Sequence, residues 1–149
     1  MNSNDKQLIL IKYIKQYIKS IGYTEWLVKA EYNTNDNDKK VVVIQEQTGE
    51  KVVFYGDIEP MFNYYMIDIY GLSIEECKAL SVAIGNLISK SVLIENIKQD
   101  GNKTYNELWQ ILFKQYTNPQ AIEYLDIKRV GYNMTVKVIV NKVASELAI

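Results

Sequence analysis

Residues 63–80 read NYYMIDIYGLSIEECKAL, and this stretch decides the fold class because two different periodicities meet in it. From Asn63 to Gly71, the residues Tyr65, Ile67 and Ile69 alternate with those of a second face, the period of two that is typical of a β-strand. A helical pattern follows after a very short turn. The stretch shows that the chain mixes strands and helices, and the order of all the predicted elements, namely helix, hairpin, strand, helix and then one or two strands, predicts an α+β fold.

The helix begins after Ser73, which precedes Glu76 by the three residues of a capping box. Leu72 and Cys77 have the spacing of a hydrophobic staple, and the helix is expected to end around Lys90. A buried packing role is the favoured interpretation of the single thiol, because a reactive thiolate needs an accessible, electropositive setting. The predicted core stripe consists of Cys77, Leu80, Ile84, Leu87 and Ile88.

An earlier amphipathic helix is predicted over residues 4–21, ending near Gly22. Its apolar face is wide enough for two interpretations: part of it contacts another subunit, or all of it packs on the sheet. The main stripe is Leu8, Ile11, Ile14, Ile18 and Ile21, with a second stripe of Leu10, Tyr13 and Tyr17.

The remaining segments predict the rest of the sheet. The runs Lys40–Gln45 and Lys51–Tyr55 indicate a hairpin around Thr48-Gly49, and residues 98–104 indicate a turn centred on Asp100-Gly101. Leu108–Tyr116 fits either a helix or a strand by periodicity, and Gly131 opens a clear final strand followed by a short tail. We therefore expect a single domain over residues 1–149, with a mainly antiparallel sheet of four to five strands packed against two helices.

The composition excludes several kinds of chemistry. The chain has no His, one Cys and a net charge of −1, so His-based triads, His zinc sites, Cys-rich metal sites and intrachain disulfides are excluded. Its seven glycines stand apart and form no phosphate-binding loop, and the Asp36-Asn37-Asp38 run lacks the glycine of a calcium loop. The pair Glu75-Glu76 is explained by the helix N-terminus. We expect no catalytic residue, no metal, no cofactor and no enzymatic activity. The polar N-terminus and interrupted apolar runs predict neither a signal peptide nor a membrane span.

Two stretches resemble the tail terminator, or tail completion, family of long-tailed phages and related contractile particles. The first is the strand Tyr64–Tyr70 followed at once by the helix that begins at Ser73. The second is a loop with Pro119, Asp126 and Arg129 that leads into Gly131–Val136. The likeness covers roughly residues 5 to 142, and it favours the strand interpretation of residues 108–116.

The resemblance implies a structural virion protein at the head-proximal end of the phage tail, made in the host cytoplasm. Such a protein caps the tail tube as a homohexameric ring and joins it to the head connector or stopper, while DNA passes through the lumen without sequence-specific binding. On this basis Met61, Phe62, Tyr64 and Tyr65 are candidates for the subunit or tube interface, with ordinary core packing as the alternative. The hairpin residues Glu46 and Glu50 are candidates for the lumen, with a solvated hairpin as the alternative.

A second function class stays open. The chain has 12 tyrosines, and tyrosine-rich sheets can stack nucleic-acid bases, so a small binding module for nucleic acid or another protein is the rival hypothesis. Base-stacking modules normally combine aromatic residues with a basic groove, whereas the lysines of this chain are scattered along the sequence. The oligomeric state of the purified protein would distinguish the two classes.

Overall fold

The computed structural model describes residues 3–47, 63–87, 90–124 and 129–148. Within these ranges the chain forms two helices, a short 3-10 turn and seven strands. The elements are α1 (Ser3–Ser20), β1 (Leu27–Lys29), the 3-10 turn (Thr34–Asp36), β2 (Val41–Glu46), β3 (Asn63–Tyr70), α2 (Ile74–Gly85), β4 (Ser91–Asp100), β5 (Lys103–Tyr116), β6 (Gln120–Tyr124) and β7 (Arg129–Ala148).

The described strands form one sheet in the order β1-β2-β3-β7-β5-β4, and β6 also pairs with β7. Every pairing is antiparallel except that of β1 with β2. The α+β class, the two helices and the mainly antiparallel sheet are therefore confirmed. The expected strand number, four to five, was too low, since the described sheet has seven strands.

The difference in strand number comes mainly from the second half of the chain. Residues 91–100 form β4, which pairs with β5 through a two-residue turn at Gly101-Asn102, so the expected turn is confirmed. Gly101 has φ +62°, a left-handed conformation that glycine adopts readily. Leu108–Tyr116 belongs to a strand, and the expected tail after the final strand is instead part of β7. The Lys40–Gln45 run is confirmed as a strand, whereas its expected partner, Lys51–Tyr55, lies outside the described residues.

Both helices pack on the same face of the sheet around one cluster of buried residues. The Ser73 hydroxyl accepts a hydrogen bond from the Glu76 backbone N–H at 3.3 Å, so the predicted cap of α2 is present. Cys77, Leu80 and Ile84 are buried, as the helical stripe predicted, although α2 ends at Gly85 rather than near Lys90. The expected staple is wrong, because Leu72 is 67% exposed while Cys77 is fully buried.

The buried face of α1 lies between the two predicted stripes. Leu10, Ile14 and Ile18 are buried, but Leu8 is 52% exposed and Ile21 is also exposed. Tyr17 packs against the core and donates a hydrogen bond from its hydroxyl to the Ala83 backbone oxygen of α2 at 3.0 Å. The predicted main stripe is thus partly confirmed, with Ile14 and Ile18 in the core, and wrong at Leu8 and Ile21, which lie on the surface.

Candidate interaction surface

Part of the sheet extends beyond the described ends of β2 and β3. Asn63, the first residue of β3, pairs with Val138, and β7 continues for ten residues beside β5. We call this extension the arm: residues 91–100 of β4, 103–112 of β5 and 139–148 of β7. At the rise of an extended chain the arm is roughly 33 Å long.

The two faces of the arm differ because strand side chains alternate. One face carries the buried residues Trp109 and Ile111 and continues the sheet surface on which the helices pack. The opposite face, which we call the bare face, is built from rows of paired residues across the three strands. These rows are Leu93-Gln110-Asn141, Glu95-Leu108-Ala144 and Ile97-Asn106-Glu146, with Leu112 and Ile139 paired below them.

The bare face mixes exposed apolar residues with carboxylates and amides. Leu93 is 63% exposed and Ile97 is 70% exposed, so both leave most of their apolar surface in water. A shallow cavity of about 330 Å³ is lined by Ile97, Leu108, Glu95 and Glu146, among others. Glu95 lies between Leu93 and Ile97 on the same face of β4, and exposed apolar residues with polar neighbours occur at protein contact surfaces.

The outer edge of β4 is partly closed by a lysine of α1. The Lys12 ammonium group donates hydrogen bonds to the Glu95 backbone oxygen at 2.9 Å and to the Asn96 side-chain oxygen at 3.3 Å. A positive charge beside an edge strand disfavours edge-to-edge pairing with another sheet. The face of the arm is therefore better suited to a partner than its edge.

A buried carboxylate lies on the other side of the arm. Glu107 accepts hydrogen bonds from the Trp109 indole N–H at 3.1 Å and the Asn96 amide at 3.3 Å, and it forms an ion pair with Lys142 at 3.4 Å. Burial acts to raise the pKa of Glu107, but these three contacts together outweigh it and hold the pKa below its usual value. Because hydrogen-bond donors contact both of its carboxylate oxygens, Glu107 serves to stabilise the fold of the arm.

The single arginine forms a second buried polar cluster at the other end of the sheet. The Arg129 guanidinium donates to the Tyr32 hydroxyl at 3.2 Å and to the backbone oxygens of Asp36 at 2.7 Å, Gly71 at 3.3 Å and Lys39. It also lies 5.7 Å from the centre of the Tyr70 ring. Arg129 thus fastens the loop before β2 to the ends of β3 and β7.

The same loop contains an ion pair. The buried Asp36 carboxylate accepts a hydrogen bond from Lys29 at 2.7 Å and one from the Asn33 backbone N–H at 3.0 Å. The hydrogen bond from Lys29 is the largest influence on this carboxyl group, and its pKa is lowered. Asp36, the first residue of the acidic Asp36-Asn37-Asp38 run, therefore holds this loop in place.

The residues expected at an interface or lumen fall into different places. Tyr65 has no exposed surface and belongs to the core, as the alternative interpretation expected, whereas Tyr64 is 38% exposed, with Lys137 5.8 Å from the centre of its ring. Glu46 is exposed at the end of β2. Met61, Phe62 and Glu50 lie outside the described residues.

Sequence reasoning missed the bare face itself. Leu93 and Ile94 are adjacent, so they point to opposite faces of β4, and Ile97 stands among polar residues. An apolar residue on each face of one strand is the signal that could have indicated a sheet with a second contact surface.

Among the described residues, no three acidic and thiol side chains are grouped so that they could hold a metal ion. No helix in the same ranges is both long enough and apolar enough to span a membrane. Comparison of the chain with protein-family models, with characterised protein sequences and with solved structures gave no match.

Proposed function

We propose that this protein is a structural virion protein of the tail terminator type, which assembles as a homohexameric ring at the head-proximal end of a phage tail. In this role it contacts the tail tube protein and the head connector or stopper, and DNA passes through its lumen. The proposal starts from the sequence resemblance. The bare face is the structural observation that supports it, because a sheet surface that the described helices do not cover, with Leu93 and Ile97 exposed, suits a protein that assembles with other copies.

The size of the purified protein tests the proposal. Six copies of the 17.3 kDa chain have a mass of about 104 kDa, which sedimentation velocity separates clearly from a monomer. We expect a ring-sized species that becomes more abundant with protein concentration, and rings with a central opening in negatively stained images. A chain that remains monomeric at every concentration tested would contradict the proposal.

The binding-module hypothesis has less structural support. Several of its tyrosines are used internally: Tyr65 and Tyr70 are buried, and Tyr13 and Tyr17 pack against the core. A labelled single-stranded oligonucleotide measured by fluorescence anisotropy distinguishes the two functions. A monomer that binds it with strong salt dependence would favour the module.

A further inference from the structure

We propose that the bare face of the arm binds the outer face of α1 from a second copy of this chain. The inference rests on the proposed self-assembly, and it identifies the two surfaces that form the contact between copies. It begins from the layers of the fold. Helices cover one face of the sheet and leave the bare face of the arm open, so a helix laid on that face would complete a third layer.

The outer face of α1 has the chemistry to fill this position. Leu8, Lys15 and Lys19 are exposed and stand seven and four residues apart, which places them along one side of the helix. Leu8 supplies an apolar contact, and the two lysines supply positive charge. Neither lysine has an ion-pair partner among the described residues.

The bare face is complementary to this helix surface. Leu93 and Ile97 are the exposed apolar residues, while Glu95 and Glu146 are exposed carboxylates whose side chains have no ion-pair partner in the described ranges. Two negative charges near Leu93 and Ile97 are complementary to two positive charges on the helix side that carries Leu8. Within one copy α1 lies on the opposite face of the sheet, although Leu8 lines a cavity at the edge strand β4 together with Asn96 and Ile97.

The contact is heterologous, since it joins two different surfaces. Each copy offers one of each, so successive copies can form a closed ring, whereas a contact between two identical surfaces would stop at a dimer. Lys12 does not take part, because its ammonium group is engaged by Glu95 and Asn96 of its own chain.

Charge reversal tests the pairing. One variant carries Glu95→Lys and Glu146→Lys, and another carries Lys15→Glu and Lys19→Glu. Each alone should associate at least tenfold more weakly than the wild type, because two attractive pairs become repulsive. An equimolar mixture should regain association, since every contact in it again joins opposite charges. The control Lys78→Glu with Lys90→Glu makes the same charge change at exposed sites elsewhere and should associate like the wild type.

Cross-linking tests the contact whether or not the ring is stable. Cys77 is buried, so cysteines placed by Lys15→Cys and Ile97→Cys are the reactive ones. Mixing these two variants with a short bis-maleimide should give dimers several-fold faster than mixing Ile97→Cys with Lys78→Cys. Rings that form without this preference, or a reversed-charge mixture that fails to associate, would overturn the inference alone. A monomeric wild type that shows no preferred cross-link would overturn the proposed function as well.

Discussion

Replacing Arg129 by methionine should destabilise the protein by about 3 kcal/mol. The guanidinium is buried, and the backbone oxygens of Asp36 and Gly71 accept from it at buried positions. Methionine fills part of the space but has no hydrogen-bond donor. Both backbone oxygens therefore lose their hydrogen bond, and each loss lowers the unfolding free energy by about 1.5 kcal/mol. Lysine can reach one of the two oxygens but not both, so Arg129→Lys should cost roughly half as much.

Urea unfolding at neutral pH measures this loss. With a slope of about 1.5 kcal/mol per molar urea, a 3 kcal/mol loss lowers the midpoint by roughly 2 M. Lys114→Met is the matched control, because it removes the same charge from an exposed position on β5 and should change stability by less than about 0.5 kcal/mol. If Arg129→Met and Lys114→Met unfolded at the same urea concentration, the assigned role of Arg129 would be refuted.

Three further predictions concern other buried groups. The pKa of Glu107 is lowered in the folded protein, so its ionised carboxylate stabilises the fold at pH values above the ordinary pKa near 4.5, and this stabilisation is lost as the pH falls through the folded pKa. Urea titrations should therefore show that the difference in unfolding free energy between the wild type and Glu107→Gln becomes smaller in that pH range. Gly71→Ala should lower the unfolding free energy by about 1 to 3 kcal/mol, because the added Cβ would lie 2.6 Å from the Cys77 sulfur. Adding Cys77→Ala to the same chain removes that sulfur and should restore much of the lost stability. Burial raises the pKa of the Cys77 thiol, so a thiol reagent should label it slowly in the native protein and quickly in urea.

Each of these predictions has an outcome that contradicts it. A difference between the wild type and Glu107→Gln that stays constant with pH would show that the carboxylate is not held in its charged form. Additive effects of the Gly71 and Cys77 changes would exclude the close contact between them. Fast labelling of the native thiol would place Cys77 outside the core.

Local signals made one part of the fold predictable. β3 and α2 follow from an alternating run and a capping box within twenty residues, and neither needs information from elsewhere in the chain. The buried position of Cys77 follows from the same helical period. The α+β class was predicted because a hairpin and further strands stand beside two helices without regular strand-helix alternation.

Distant partners determine the parts that the sequence did not predict. Residues 142–148 read as a tail because their apolar residues do not alternate cleanly, yet they form a strand since β5 lies beside them. β4 has apolar residues on both faces, so it gives no period of two. The phase of α1 was misjudged because its helix carries more apolar residues than the core uses, and only the packing leaves Leu8 outside.

The place of β7 in the sheet has a consequence for synthesis. This strand pairs with β3 on one side and with β5 and β6 on the other, yet it is translated about sixty residues after β3 ends. At a synthesis rate of about 5 to 20 residues per second, β3 is complete roughly 3 to 12 s before β7 begins to be made. β5 is complete only in the last part of that interval, and until β7 pairs with both strands the nascent chain has more unpaired strand edge than the folded protein.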